Sequence, residues 1–464
     1  MVEMEARRLK KVVLQMPFAR NSCFNRIFTP RMKEVWFIGR KIVGSNTGFT
    51  RTILRIGVAS LSLCLAVVIV ATCLVTGFKN EIRDKVFGFW GHIHITHTGS
   101  WRSVENLPID KNQDFILHLD TLKGLSYYNP MRLPFTDIVL KEDRKTHTAG
   151  TVRHVHSFLN QAAIITTADD FEGIILKGIG PDFDWSYMKE YLRQGDTIDT
   201  GGSEASREII LSEQTANRLE LELGDQLIVN FIIDNQQRRR RVSLSGIYRT
   251  GLEEYDRRFA LADQRLIRSV LGWEEHQVSG FEIFLEDVAD VGYFHEYIYL
   301  DLLPPDLTSE PITRRFPAIF EWLELQDINE RVIVILMLIV GIITMSTSLL
   351  ILILDRTHMV GVLKSLGATN RVIRNIFLYY GLSLLIRGLV IGNALGLGLC
   401  WLQLQYGIIT LNEEDYYLAQ APVYFAWGKI FWLNLVFVLV IMLVLFIPSA
   451  IISRIDPVRV LRFK

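Results

Sequence analysis

The chain has 464 residues, with 50 Lys and Arg against 50 Asp and Glu, and 49% of its residues are hydrophobic. A net charge of zero gives no argument for a nucleic-acid partner. The mean hydropathy of +0.23 averages a hydrophilic middle with four long apolar runs, which excludes an ordinary soluble enzyme.

Residues 1–52 form an arm, expected to be cytoplasmic and to carry an interfacial helix. The first apolar run, IGVASLSLCLAVVIVATCLV at 56–75, lies in a stretch without charge between Arg55 and Lys79. As a helix it crosses a hydrocarbon core of about 30 Å, so 53–78 is read as the first transmembrane span. The long arm before it, and GFKNEIR after it without a small-residue cleavage site, predict a permanent anchor rather than a signal peptide.

Residues 79–328 read as a large α+β domain inserted between the first and second spans, expected to fold as two lobes. KNEIRDKVFGFWGHIHITHTG passes from a helical pattern into an alternating strand, with His92 and His94 on one face and Ile93 and Ile95 on the other. REIILSEQTANRLELELGDQLIVNFII reads as a strand, a Ser212-capped helix with Ala216 and Leu219 inward, a turn at Gly224-Asp225 and a second strand. QRRRRVSLSGIYRTG closes that strand into a hairpin, with Arg238–Arg241 expected at a solvated tip. Helices opening at Asp263 and Asp287, and reaching Leu271 and Leu300, flank the strand SGFEIFL. From Pro317 the spacing of Ile319, Phe320, Leu323 and Ile328 predicts a helix running unbroken into the second span.

That second span is 329–354, followed by a cytoplasmic segment at 355–375, a third span at 376–402, a short loop at 403–429, a fourth span at 430–453 and a tail at 454–464. Cys64, Cys73 and Cys400 fall in spans and Cys23 in the arm, so the inserted domain holds together without a disulfide. Lys and Arg concentrate before span one (Arg40, Lys41, Arg51, Arg55), between spans two and three (Arg356, Lys364, Arg371, Arg374) and in the tail (Arg454, Arg459, Arg462, Lys464). The loop at 403–428 has only Glu413, Glu414 and Asp415. The distribution predicts cytoplasmic termini and a domain on the opposite, periplasmic side.

The segment DRTHMVGVLKSLGATNRVIRNIF contains two amphipathic stretches broken at Gly367-Ala368-Thr369. On pattern alone it suits either docking into a groove on another protein or anchoring a turn at the membrane surface. HIHITH and HVH read as ordinary surface or cleft histidines rather than metal ligands, since neither segment holds a Cys or carboxylate. Arg387 lies about eleven residues into the third span, roughly 16 Å at about 1.5 Å per residue, where a lone cation costs at least about 3 kcal/mol. Gly388, Gly392 and Gly396 recur every fourth residue in that span, the pattern of close helix packing.

The segment at 355–377, VTGF and DKVFG at the end of span one, ILSEQTANRLELELGD, SGIYRTGLEEYD and the closing IDPVRVLRF together resemble the permease of the lipoprotein-releasing ABC transporter, the LolC and LolE family within the MacB and FtsX class. The resemblance covers 36–464 in order. It implies a coupling helix that sits on the ATPase, with Met359, Gly361, Leu363, Lys364, Leu366, Gly367, Ala368 and Thr369 at that contact. Family members usually carry an acidic residue where this chain has Met359, which leaves no carboxylate there for a salt bridge. The family's extended hook for a periplasmic carrier chaperone corresponds here to the short basic IDNQQRRRRV at 233–242. The implied partners are two copies of a separate ATPase, a second permease (identical or paralogous), a lipoprotein substrate and that chaperone, all at a bacterial inner membrane. Acyl chains would lie on the apolar faces of the first two spans. No GxxxxGK[ST] occurs, so ATP and Mg are expected on the partner ATPase and no cofactor on this chain. Two other activities known in the class are signalling to a cell-wall hydrolase, as in the FtsX branch, and efflux, as in the MacB branch.

Overall fold

The computed structural model describes residues 48–450 except 101–106, 123, 129–130, 133–138, 142–144, 168–169 and 234. The arm before residue 48, with its interfacial helix and Cys23, and the tail at 454–464 therefore lie outside the described residues. In chain order the main elements are α1 (Gly48–Trp90), β1 (Ile93–His97), β2 (Val152–Thr166), β3 (Phe171–Ile179), β4 (Leu192–Gly195), β5 (Glu208–Ser212), α2 (Glu213–Arg218), β6 (Gln226–Ile233), β7 (Gln236–Tyr248), β8 (Phe259–Asp263), α3 (Gln264–Leu271), β9 (Gly280–Leu285), α4 (Val291–Tyr297), β10 (Leu307–Pro311), α5 (Pro317–Asp355), α6 (Thr357–Ser365), α7 (Asn370–Tyr406), α8 (Glu413–Tyr416) and α9 (Trp427–Ser449). They sort into two compact units, one of them Met1–Thr72, Arg331–Trp401 and Ala426–Lys464, the other Cys73–Glu330 and Leu402–Phe425.

In the helical unit α1, α5, α7 and α9 are each long and apolar enough to cross a membrane. Their backbone groups are paired within each helix, as hydrocarbon requires. Helix α1 is the most enclosed, with Leu61, Leu65, Val68 and Ile69 fully buried. The glycine ladder on α7 explains how it comes so close. A Cβ on Gly388 would stand 2.5 Å from Leu61, one on Gly392 2.9 Å from the carbonyl oxygen of Ser62, and one on Gly396 3.0 Å from Ile69. Across α7 and α9, Asn393 and Asn434 exchange amide hydrogen bonds of 2.7 and 3.0 Å, and each amide also donates to the carbonyl four residues back. A polar pair satisfied in this way holds two helices together where apolar contact alone gives little preference. Gly392→Leu should therefore force α7 off α1 and destabilise the detergent-solubilised protein by about 1–3 kcal/mol. Gly398→Leu is the control, because nothing lies within 4 Å of its Cβ position. Equal thermal midpoints for the two variants would contradict this packing.

The second unit is built on one mixed sheet of ten strands in the order β6-β7-β5-β8-β3-β2-β9-β1-β10, with β4 on β7. Strand β6 also pairs with β2 through Ile228↔Thr166, Val229↔Ile165 and Asn230↔Ile164, so six strands close into a ring and β9, β1 and β10 extend from it. Where the sequence suggests two lobes, the described residues place two apolar clusters on this single sheet. The Ser212 cap accepts from the Thr215 amide at 3.1 Å, and Ala216 and Leu219 are buried, as the pattern predicts. Arg238–Arg241 are not at a hairpin tip: they lie within β7, opposite Phe231–Ile228, and the turn is made at Asn235, with φ 61°. The helix expected at Asp287–Leu300 is three pieces, a 3-10 turn at Val288–Asp290, α4, and a π turn at Ile298–Leu302. Asp290 turns its carboxylate onto the amides of Ala149 and Gly150 instead of capping α4.

Two helices enter this unit through adjacent strands. Helix α1 stops at Gly91, whose φ of 70° suits glycine, and continues as β1 between β9 and β10. Strand β10 leads within a few residues to α5. Beyond the apolar spans the two helices meet through a Lys79–Asp327 ion pair and the rings of Phe78 and Trp322, 5.1 Å apart. Helix α5 runs unbroken from Pro317 to Asp355, as its apolar spacing predicts. The stretch Leu402–Phe425, which takes in most of the short loop expected at 403–429, packs inside this unit.

Candidate coupling site

Helix α5 ends at Asp355 and α6 begins two residues later, so the chain turns sharply before the first amphipathic stretch. Val360 and Gly361 face inward and are buried, whereas Met359, Leu363 and Lys364 are half-buried. The helix is closed by hydrogen bonds from Gly367 N to Lys364 O and from Ala368 N to Leu363 O, both 3.0 Å. Gly367 adopts φ 91°, the left-handed conformation that ends a helix cheaply only for glycine. The next helix is launched by Val372 N and Ile373 N on the Thr369 carbonyl at 3.0 and 3.2 Å. The break at Gly367-Ala368-Thr369 is therefore where the sequence puts it. Leu366, 59% exposed, projects from this turn beside exposed Ser365, Gly367 and Thr369. A large aliphatic side chain at the apex of a short turn, with its backbone fixed on both sides, suits insertion into a groove. Of the eight residues singled out, Leu366, Gly367, Ala368 and Thr369 form the apex, Met359, Leu363 and Lys364 lie along the helix, and Gly361 supports it from inside.

Apolar side chains on two helices of the same unit lie open. Helix α1 exposes Ile56 and Leu63, and α5 exposes Val332, Leu336, Ile339 and Ile343. Arg387, on α7, is exposed among Ile386, Val390 and Ile391.

Three of the five histidines in HIHITH and HVH are not surface groups, while His97 and His154 are partly exposed. His92, His94 and His156 are buried, because β1 is covered on both faces and sits between two strands. His94 Nε2 donates to the Trp90 carbonyl at 2.5 Å, and its Nδ1 accepts from Arg315 at 3.2 Å. His156 Nε2 donates to Glu282 at 2.8 Å. Lys177 donates to the same Glu282 oxygen at 2.8 Å and to the Phe89 carbonyl at 2.6 Å. Sequence reasoning missed Lys177 and Glu282, which lie in ordinary strand patterns far apart in the chain. Burial drives His92 down to about 4, aided by Arg153, and His94 down to about 3 against the pull of Glu282, with Arg315 and Lys177 adding to the lowering. Burial would raise the Glu282 carboxyl, but Lys177 and His156 hold it at about 2. All three folded values lie below their unfolded ones, so the stability they add is present at neutral pH. It is lost as pH falls, from about 6.5 down to 3 for the imidazoles and from about 4.5 to 2 for the carboxyl. The thermal midpoint of this unit should drop between pH 7 and pH 4, and less steeply in His94→Gln. A pH-independent midpoint would contradict this assignment.

Residues 331–457 match the family model described as FtsX-like permease C-terminal. The lipoprotein-releasing system transmembrane protein LolC of Xylella fastidiosa (strain 9a5c) is 20% identical over 437 residues, covering 90% of this chain and 96% of that relative. LolE of Haemophilus influenzae is 20% identical over 442 residues, covering 88% and 94%. Among solved structures, the extracellular domain of the ABC-type transporter YknZ from Gram-positive bacteria aligns with 47% of this chain and 98% of its own length, at 12% identity and a TM-score of 0.29, too low to bear on the fold. Four apolar helices, an α+β domain and the matched C-terminal region define an ABC-transporter permease of the FtsX-like type, a multi-pass protein of the inner membrane. Within that type, the chain is similar over most of its length to the LolC and LolE transmembrane proteins of lipoprotein-releasing systems.

Proposed function

We propose that this chain is the membrane subunit through which a separate ATPase drives lipoproteins out of the inner membrane toward a periplasmic carrier. Both termini and the α6 turn lie in the cytoplasm, and the ten-stranded sheet lies in the periplasm. The observation that carries the reading is that α1 and α5 are single unbroken helices built at one end into adjacent strands β1 and β10, with the α6 turn directly following α5. A stiff helix passes displacement along its length with little loss. Two ATPase copies, holding ATP and Mg, close on each other and push on Met359, Leu363, Lys364 and the apex 366–369 of this chain and of a second permease, identical or paralogous. Gly361 keeps that helix seated. The displaced α1 and α5 squeeze acyl chains from the exposed faces of Ile56, Leu63, Leu336 and Ile343. Ordinary transmembrane packing would also expose such residues, so the relatives supply the acyl substrate and the fold supplies the lever.

Depleting the chain and fractionating the membranes tests this. Release predicts lipoproteins accumulating in the inner membrane. Normal lipoprotein sorting together with altered cell-wall cleavage would replace it with transmembrane signalling to a hydrolase.

A further inference from the structure

The segment Leu402–Phe425, between α7 and α9, is short and acidic, yet it is an ordered hairpin fastened to the sheet-bearing unit. Its base is tied by Gln403, whose side chain accepts from Ile409 N at 2.8 Å and donates to the carbonyls of Ile409 and Ala421 at 3.1 and 3.0 Å. Its arms are joined by Leu411 N to Ala419 O and Ala421 N to Ile409 O. Its tip is fastened by the Lys85 ammonium, buried on α1, which donates to the Thr250 carbonyl at 2.6 Å and to the Tyr417 carbonyl at 3.0 Å. Gly251 allows that approach: its φ is 78°, and a Cβ there would stand 3.1 Å from both Lys85 Nζ and Tyr417 O. Leu418 is buried in the same cluster as Leu252 and Tyr255, Trp322 of α5 stands edge-on to Tyr417, and Arg249 bridges Glu213 of the sheet unit to Glu413 of the hairpin. Groups from α1, α5 and this hairpin thus meet at one place.

We propose that 402–425 is a strap by which the α7–α9 pair holds the periplasmic domain, with Lys85 as its pin, so that the drive reaches the domain through three connections rather than two. This rests on the permease reading above, and the test separates the two. Amide hydrogen exchange at 409–421 and lipoprotein released per ATP are measured on the full complex with its native ATPase, for the wild type and Lys85→Met. Removing the pin leaves two carbonyls without their donor, and exchange at 409–421 should quicken roughly tenfold while ATP hydrolysis persists and release per ATP falls. Arg249→Glu and Glu413→Arg should each loosen the strap, and the double reversal should restore part of the slow exchange, since it re-forms the pair with position 413 but leaves Glu213 facing a carboxylate, and a general loss of fold would allow no restoration. Unchanged exchange in Lys85→Met, or faster exchange with undiminished release per ATP, would overturn the strap. A wild-type complex that hydrolyses ATP but releases no lipoprotein would remove the permease reading and leave the exchange result to decide the strap alone.

Discussion

Lys177→Met should destabilise the sheet unit by about 3–5 kcal/mol, the cost of stranding one member of a buried ion pair. Lys177 is 1% exposed and Glu282 0% exposed. Without the ammonium, the carboxylate keeps, among the described residues, the imidazoles of His156 at 2.8 Å and His94 at 3.5 Å as neighbours. The Phe89 carbonyl at the end of α1 loses its donor, and the rings of Phe89 and Trp90, 5.0 and 5.1 Å from the ammonium, lose a cation over their faces. Lys177→Met with Glu282→Gln should be milder than Lys177→Met alone, because no unpaired charge then remains in the core. Exchange protection in β3 and β9 reports both, and strictly additive losses would show that the two groups do not act as a pair. Lys177 also fixes where α1 ends, so a functional defect in the single variant should follow its loss of stability.

Leu366→Asp should weaken ATPase binding by roughly 2 kcal/mol or more, roughly thirtyfold in affinity, if this side chain is the apolar anchor of the contact. It is the most exposed large apolar residue of the turn, and its backbone is set by the left-handed Gly367. The substitution places a charge on an exposed position, so the fold of the helical unit should be unaffected. Co-purification of the ATPase with the variant, alongside its thermal midpoint, separates the two effects. An unchanged yield of ATPase would remove Leu366 from the interface.

The four apolar helices, the continuity of α5, the Ser212 cap and the break at Gly367 were legible because each is a local signal: a run without charge, a period, a hydroxyl before a helix, a glycine after one. The buried histidines were not legible. Alternation in HIHITH places His92 and His94 opposite Ile93 and Ile95, which implies a polar face, but with β10 on one edge and β9 on the other the strand is buried on both faces through Ile95. Their partners, Lys177 and Glu282, come from β3 and β9, and no local pattern links them. The same holds for Asn393 with Asn434 and for Arg249 with Glu413, whose pairing depends on contacts made only in the fold. The basic run Arg238–Arg241 was misplaced because charge suggests a tip, whereas the alternation of β7 carries two of these side chains outward and lays Arg238 against the Val270 carbonyl.

The most direct measurement is site-specific photo-crosslinking from position 366 in native membranes, followed by identification of the captured protein. The lever account predicts a cytoplasmic ATPase, captured from the cytoplasmic side and lost in Gly367→Val, whose left-handed turn a β-branched residue strains. Capture of a periplasmic protein instead, or labelling of that position from outside the cell, would contradict it.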